Sequence, residues 1–311
     1  MTKILLVKVQ LFIAIVLFGG VSPVSASEPL PVVATFSILA DMVRQVGGPH
    51  VVVTSLVGPN FDAHVFDPTP ADVKRLAAAK LVVVNGLGFE GWMSRLIKSS
   101  GYKGPVLNAS KGVKTIPMAT SNHDHGHKHS HVVPDPHAWQ SLVNARQYVE
   151  NIKVALSAAM PAQTADFQAR AADYLKKIDA LEKTTQERIA AIPLERRRVI
   201  TSHDAFGYFA GAYKVSFYPL QGLSTGSEPS AADVVRIVNE IKKNKVTAIF
   251  AENISDPRVL ERVAKDTGAK IGGTLFADAL SAPGTDADTY LKMFELNVST
   301  IVSGMTAPTK P

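Results

Sequence analysis

Nine histidines and no cysteine stand in the 311 residues, and the placement of the histidines carries most of the chemical information. His64 follows a β-branched run ending at Val57, and His203 follows another ending at Thr201. In open parallel sheets, ligands bind outside the carboxyl ends of the strands, so both imidazoles stand where a site belongs. His137 sits in Asp135-Pro136-His137-Ala138-Trp139, just ahead of a helical pattern starting near Ser141, and Asp278 follows an apolar run ending near Leu275. Any one of these could be an ordinary loop residue; together, at equivalent loop positions, they argue for a shared site. Three neutral imidazoles and one carboxylate suit Zn²⁺ with bonds of about 2.0–2.2 Å, whereas Mn²⁺ favours more oxygen. Four protein ligands close the shell, while catalytic zinc usually keeps a position for water, so binding is expected over catalysis. His50, in Gly47-Gly48-Pro49-His50, opens a strand at the opposite edge of its sheet and is expected to be a surface residue.

A second set, His123, His125, His127, His129 and His131, places a histidine at every other position of a polar segment. Such a composition cannot bury itself, so residues 119–132 are expected to be a mobile surface loop that binds metal weakly.

The elements that must position these groups alternate short β-branched runs with helical patterns, as βα units around parallel sheets do. Strands are expected at Val32–Thr35, Val51–Val57, Leu81–Asn85 and Val106–Asn108, and again at Arg198–Thr201, Val215–Tyr218, Val246–Ala251 and Lys270–Leu275. Thr69-Pro70-Ala71-Asp72 supplies a helix cap, as does Ser230 with Asp233 for a helix over Ala231–Asn244, and Asp256 opens another through Asp266. Between the two sets, Phe167, Ala171, Tyr174, Ile178, Leu181, Ile189 and Ile192 recur at helical spacing without Gly or Pro, predicting a strut on the order of 45 Å. The alternative is two shorter helices broken near Thr184-Thr185. The expected fold is therefore α/β: two lobes, each a roughly four-stranded parallel sheet with flanking helices, over residues 27–160 and 194–311, joined by one long rigid helix within 161–193.

Residues 1–26 read as a secretory signal, with Lys3 and Lys8, an apolar stretch Leu11–Val21 and a small-residue cleavage site Val24-Ser25-Ala26. The stretch is short for a bilayer span. Without cysteine there is no disulfide, no thiolate site and no lipid-bearing Cys after the cleavage point, so a soluble periplasmic protein that is not lipid-anchored is expected. The net charge of +6 is mild and its one basic cluster is Arg196–Arg198, which argues against nucleic acid.

The segments Asp62-Ala63-His64-Val65-Phe66-Asp67-Pro68-Thr69-Pro70, Asp135-Pro136-His137-Ala138-Trp139, Thr201-Ser202-His203-Asp204-Ala205-Phe206-Gly207-Tyr208 and Phe276-Ala277-Asp278-Ala279-Leu280 resemble the four ligand segments of the zinc and manganese solute-binding proteins of ABC transporters, the cluster A-I family. Gly222–Ser230 resembles that family's segment before a C-terminal helix. The resemblance spans essentially the whole chain after the signal. It implies metal held between the lobes by His64, His137, His203 and Asp278, delivery to an ABC-transporter membrane permease, a monomer, and a periplasmic metallochaperone as a further candidate partner. Manganese-binding members often carry Glu where this chain has His203, and zinc-binding members commonly carry a His-rich loop, so the resemblance points to Zn²⁺, with Mn²⁺ as the alternative cargo.

Two enzyme readings compete. Gly222-Leu223-Ser224-Thr225-Gly226 matches a nucleophile elbow, but no histidine follows His203 and the next helix begins too late for the sharp turn. A periplasmic zinc-dependent hydrolase would use the three histidines as an open site if Asp278 did not bind, with Asp204 or Glu228 as general base. A zinc buffer working without a transporter would share the same ligands.

Overall fold

The computed structural model describes residues 28–120, 131–223, 225–226, 228–244, 246 and 248–307. The signal segment 1–26 lies outside them.

Two sheets are built the same way. β1 (Leu30–Phe36), β2 (Val51–Val57), β3 (Leu81–Val84) and β4 (Val106–Asn108) form the first in the order β2-β1-β3-β4. β7 (Arg198–Thr201), β8 (Ser216–Pro219), β9 (Ala248–Glu252) and β10 (Lys270–Leu275) form the second, in the order β10-β9-β7-β8. Numbered within its own lobe, each runs 2-1-3-4, and every pairing is parallel. The runs Val-Val-Ala-Thr-Phe of β1 and Ala-Ile-Phe-Ala-Glu of β9 are buried throughout, as strands covered by helices on both faces must be. The strand order reverses between β1 and β3 in one lobe and between β7 and β9 in the other, which opens a crevice at each carboxyl edge.

In the first lobe α1 (Ser37–Gly47), α2 (Pro70–Ala78) and α3 (Met93–Ser100) are the crossovers. A reciprocal Thr69–Asp72 capping box starts α2 where the sequence places it. β5 (Pro117–Thr120) and β6 (His131–Pro134) pair antiparallel, a hairpin that the polar segment did not announce. It brackets the His-rich stretch, so the expected mobile loop over 119–132 is ordered in backbone at both margins. His131 opens β6 opposite Thr120, while His123, His125, His127 and His129 lie outside the described residues.

α4 (Leu142–Ala159) turns back into α5 (Thr164–Ala190), a 27-residue helix of about 40 Å that joins the lobes without a break. Thr185 is fully buried on the same stripe as Phe167, Ala171, Tyr174, Ile178 and Ile189, which removes the break expected as an alternative there. In the second lobe α6 (Gly207–Tyr213), α7 (Ala231–Asn244) and α8 (Arg258–Thr267) flank the sheet, and α9 (Tyr290–Thr306) covers its inner face. α9 comes so close that a Cβ on Gly304 would meet Phe250 Cζ at 2.5 Å and Ala248 Cβ at 2.9 Å. One apolar core runs from Val32 and Val82 of the first sheet through Trp139, Tyr148 and Ile178 to Phe250 and Phe294 of the second lobe. A smaller one, with Ile200, Ile237, Ile249 and Leu260, lies under α7 and α8.

Candidate metal centre

Each of the four residues singled out by sequence is fixed by a separate local device. Beyond β2, Asp62 Oδ1 accepts the His64 backbone N–H at 2.7 Å, and Trp92 Nε1 donates to Ala63 O at 2.9 Å. The His64 ring lies edge-on to Phe89, 4.7 Å between centroids. His137 stands before the turn leading into α4. Asp135 Oδ1 accepts both its backbone N–H at 2.9 Å and its Nδ1 proton at 2.8 Å, which leaves the Nε2 lone pair for the centre. Asn85 Nδ2 donates to Pro136 O at 2.9 Å and is itself held by the Tyr148 hydroxyl. His203, two residues past β7, gives its backbone N–H to Glu252 Oε1 at 3.1 Å and its Nδ1 proton to Glu252 Oε2. Asp278 lies three residues past β10, on a segment anchored from both sides. Asn297 of α9 bonds both backbone groups of Phe276, while Trp139 Nε1 and Gln140 Nε2 of the first lobe donate to Ala277 O at 2.9 and 2.6 Å.

These devices bring the four side chains together. One ligand atom from each of His64, His137, His203 and Asp278 lies within 4.8 Å of all the others, the sole such group among the described residues. Asp278 Oδ2 is 3.1 Å from His64 Nε2 and 3.1 Å from His203 Nε2, Asp278 Oδ1 is 3.7 Å from His137 Nε2, and the His64 and His137 Nε2 atoms are 3.2 Å apart. A tetrahedron with bonds of about 2.0–2.2 Å has edges of about 3.3–3.6 Å, close to these separations. Two ligands come from each lobe, and the side chains of His137, His203 and Asp278 are fully buried, with His64 at 9%.

The electrostatics suit a cation. Asp278 keeps no hydrogen bond of normal geometry on either oxygen, nor does His203 on Nε2. A buried carboxylate without donors is costly unless a positive charge faces it. Burial works against ionisation of Asp278, but the imidazoles of His203 and His137 outweigh it and hold the carboxyl well below its usual range. Burial likewise opposes a charge on His203, yet Glu252 and Asp278 raise its pKa well above the ordinary imidazole value. Without metal, these shifts favour a charged His203–Asp278 pair where a metal ion would supply the positive charge instead. An aromatic wall closes the inner side: Phe89 and Trp139 are 4.9 Å apart, and His137 is 5.4 Å from Trp139.

Two residues have a role that the sequence reading did not assign. Glu252 and Asp135 orient His203 and His137 through Nδ1. Glu252 had a visible signal, a charge ending an otherwise apolar strand at the second crevice; Asp135 had only its place two residues before a histidine. Of the proposed general bases, Glu228 is exposed on the loop before α7, and Asp204 is part-buried, its carboxyl pKa raised by burial and by Asp135. Ser224 of the elbow motif lies outside the described residues. His50 is half-buried rather than free on the surface, its Nε2 2.6 Å from Asp166 Oδ2 at the start of α5.

Residues 32–304 match the family described as zinc-uptake complex component A, periplasmic (ZnuA). The metal ABC transporter substrate-binding lipoprotein SloC of Streptococcus mutans is 32% identical over 295 residues, 93% of this chain and 94% of its own. The manganese-binding lipoprotein MntA of Bacillus subtilis is 34% identical over 289 residues, 90% of this chain and 91% of its own. Among solved structures, the periplasmic zinc-binding protein TroA of Treponema pallidum superposes with a TM-score of 0.82 at 30% identity, over 90% of this chain and 100% of that one. Family members are substrate-binding proteins rather than enzymes, which sets the hydrolase and acyl-transfer readings aside. The relatives also overturn one expectation. SloC and MntA are named lipoproteins, so the expectation of a protein that is not lipid-anchored is withdrawn. It rested on the missing cysteine, and a residue count does not decide how a protein that serves a membrane permease is held near it. From its four ordered ligand segments, its paired sheets and a match over nearly its whole length, the chain belongs to the ZnuA family of metal-binding substrate-binding proteins of ABC transporters.

Proposed function

We propose that this protein captures Zn²⁺ between its lobes with His64, His137, His203 and Asp278 and delivers it to the membrane permease of an ABC importer. The observation that carries this reading is the buried Asp278 carboxylate, whose two oxygens lack hydrogen bonds and face three imidazole Nε2 atoms at 3.1–3.7 Å. Three nitrogens and one carboxylate favour zinc over manganese, which takes more oxygen ligands. The Nδ1 atoms of His137 and His203 are already committed to Asp135 and Glu252, so both rings present Nε2 to the centre before the ion arrives and little ordering remains to be done. On this reading residues 27–160 and 194–311 are the capturing lobes and 161–193 the strut. The loop 119–132 acts as a secondary, weak collector through His123, His125, His127, His129 and His131, and a metallochaperone is a candidate donor.

The test is competition. Protein stripped of metal is offered equal zinc and manganese, and the bound metal is counted after gel filtration. One tightly held zinc per chain is expected, lost in Asp278→Ala. Equal retention of manganese overturns the zinc assignment. Undiminished zinc in Asp278→Ala overturns the four-ligand centre.

A further inference from the structure

The second lobe contains a cavity of about 820 Å³ that the metal chemistry does not use. It lies between the loops that follow β7, β8 and β9 and the first turns of α7 and α8. Carboxyl strand ends are where open α/β sheets bind ligands, and the volume falls in the roughly 300–1,000 Å³ range of small-molecule sites. Leu220, Val234, Ile254 and Val259 give it an apolar wall. Ser202, 4% exposed, and Thr225 also line it, and neither hydroxyl has a hydrogen-bond partner among the described residues. Buried hydroxyls nearly always find one, so two orphans on one cavity mark where a ligand's polar atoms would sit.

The rim carries both signs of charge. Arg258 and Arg262 stand four residues apart on one face of α8. Their partners Asp256 and Asp266 are solvent-exposed, and such pairs contribute little, so a ligand carboxylate can take their place. Glu228, exposed on the loop into α7, offers the opposite charge. We propose that this cavity binds a zwitterion with an apolar side chain, a free amino acid or the end of a short peptide. Arg258 and Arg262 receive its carboxylate, Glu228 its ammonium group, the two hydroxyls its remaining polar atoms, and the apolar wall its side chain. A simple anion would engage only the two arginines, and a neutral apolar molecule none of the rim charges.

Calorimetric titration of the metal-loaded full chain with leucine, with the dipeptide Leu-Leu and with N-acetyl-leucine methylamide tests this. Two variants accompany it. Arg258→Ala removes a rim charge, and Val235→Trp fills the mouth from a position 60% exposed and therefore free of folding cost. Binding of leucine or Leu-Leu is expected, about tenfold weaker in Arg258→Ala and lost in Val235→Trp, with zinc content unchanged in both. Leucine as the better ligand identifies a free amino acid, and Leu-Leu a peptide end. The proposal is overturned if neither binds at millimolar concentration, if the uncharged methylamide binds as tightly, or if Val235→Trp leaves binding intact.

Discussion

The two lobes share a strand order and differ in how they hold their share of the centre. In the first, the sheet, α4 and α5 belong to one core that runs on through Phe36, Trp139 and Tyr290 into the interface. In the second, that core reaches only the inner face of the sheet, and the outer face has its own small cluster under α7 and α8, beside a cavity lined by hydroxyls without a partner among the described residues. His203 is held by its own lobe, through Glu252. Asp278, although it follows a strand of the second lobe, is gripped by Trp139 and Gln140 of the first through Ala277 O, and the first lobe's Ser37 Oγ also accepts the Leu280 N–H at 2.9 Å. The lesson is that chain position and mechanical attachment do not fully coincide: one of the two ligands from the second lobe is fastened to the first lobe as well as to its own.

The largest effects should come from removing ligands by lobe. His203→Ala and Asp278→Ala should each lower zinc affinity by more than the roughly 10–100-fold typical of an outer hydrogen-bond partner, and the double variant by less than the product, since both act on one metal geometry. Competition with a chelator measures this. If the comparison of lobes is sound, Gln140→Ala should weaken zinc binding in the same direction as Asp278→Ala although it touches no metal, and an unchanged affinity would break it.

Next come the two outer carboxylates. Glu252→Leu and Asp135→Leu should each cost about 10–100-fold in zinc affinity. The two losses should be comparable, because each leaves a fully buried histidine with its Nδ1 proton and backbone N–H both unpaired. Restoration by Glu252→Gln, whose amide oxygen can still accept one of these protons, would separate orientation from charge.

The pH response sharpens the same contrast. His203, raised in pKa, contributes stability to the metal-free fold that is fully present below the ordinary imidazole value near 6.5 and lost as pH rises through its folded value. Asp278, depressed, contributes stability present above the ordinary carboxylate value near 3.9 and lost as pH falls through its folded value. Zinc must displace the proton that Glu252 and Asp278 favour on His203, so affinity should fall on acidification by up to about tenfold per unit, with proton release on binding. Calorimetry in buffers of different ionisation enthalpy counts that proton; none released would place the charge elsewhere.

The smallest effects lie far from the centre, where the lobes should be alike. Thr69→Ala and Ser230→Ala each break a capping box with an aspartate three residues on and should each cost about 1 kcal/mol in chemical unfolding, with zinc affinity unchanged. A much larger loss for Thr69→Ala would mean that α2 also steadies the His64 loop.

Much of this architecture was legible in the chain because local periods and caps carry it. β2, β4, β7, β10 and α7 fall on the bounds that residue type alone predicts, and α5 comes within three residues of each end of the expected 161–193. The candidate ligands were legible too, since strand-end position is a property of sequence once the strands are known. What the chain could not disclose depends on residues meeting across long separations: the 49 positions between His203 and Glu252, and the 138 between Trp139 and Ala277. The β5–β6 hairpin, the cavity beside α7 and α8, and the fastening of Asp278 to the opposite lobe are of this kind. Hydrogen bonds and packing that close such distances carry no local period, so only the tertiary structure decided them, and with them how four scattered side chains become one centre.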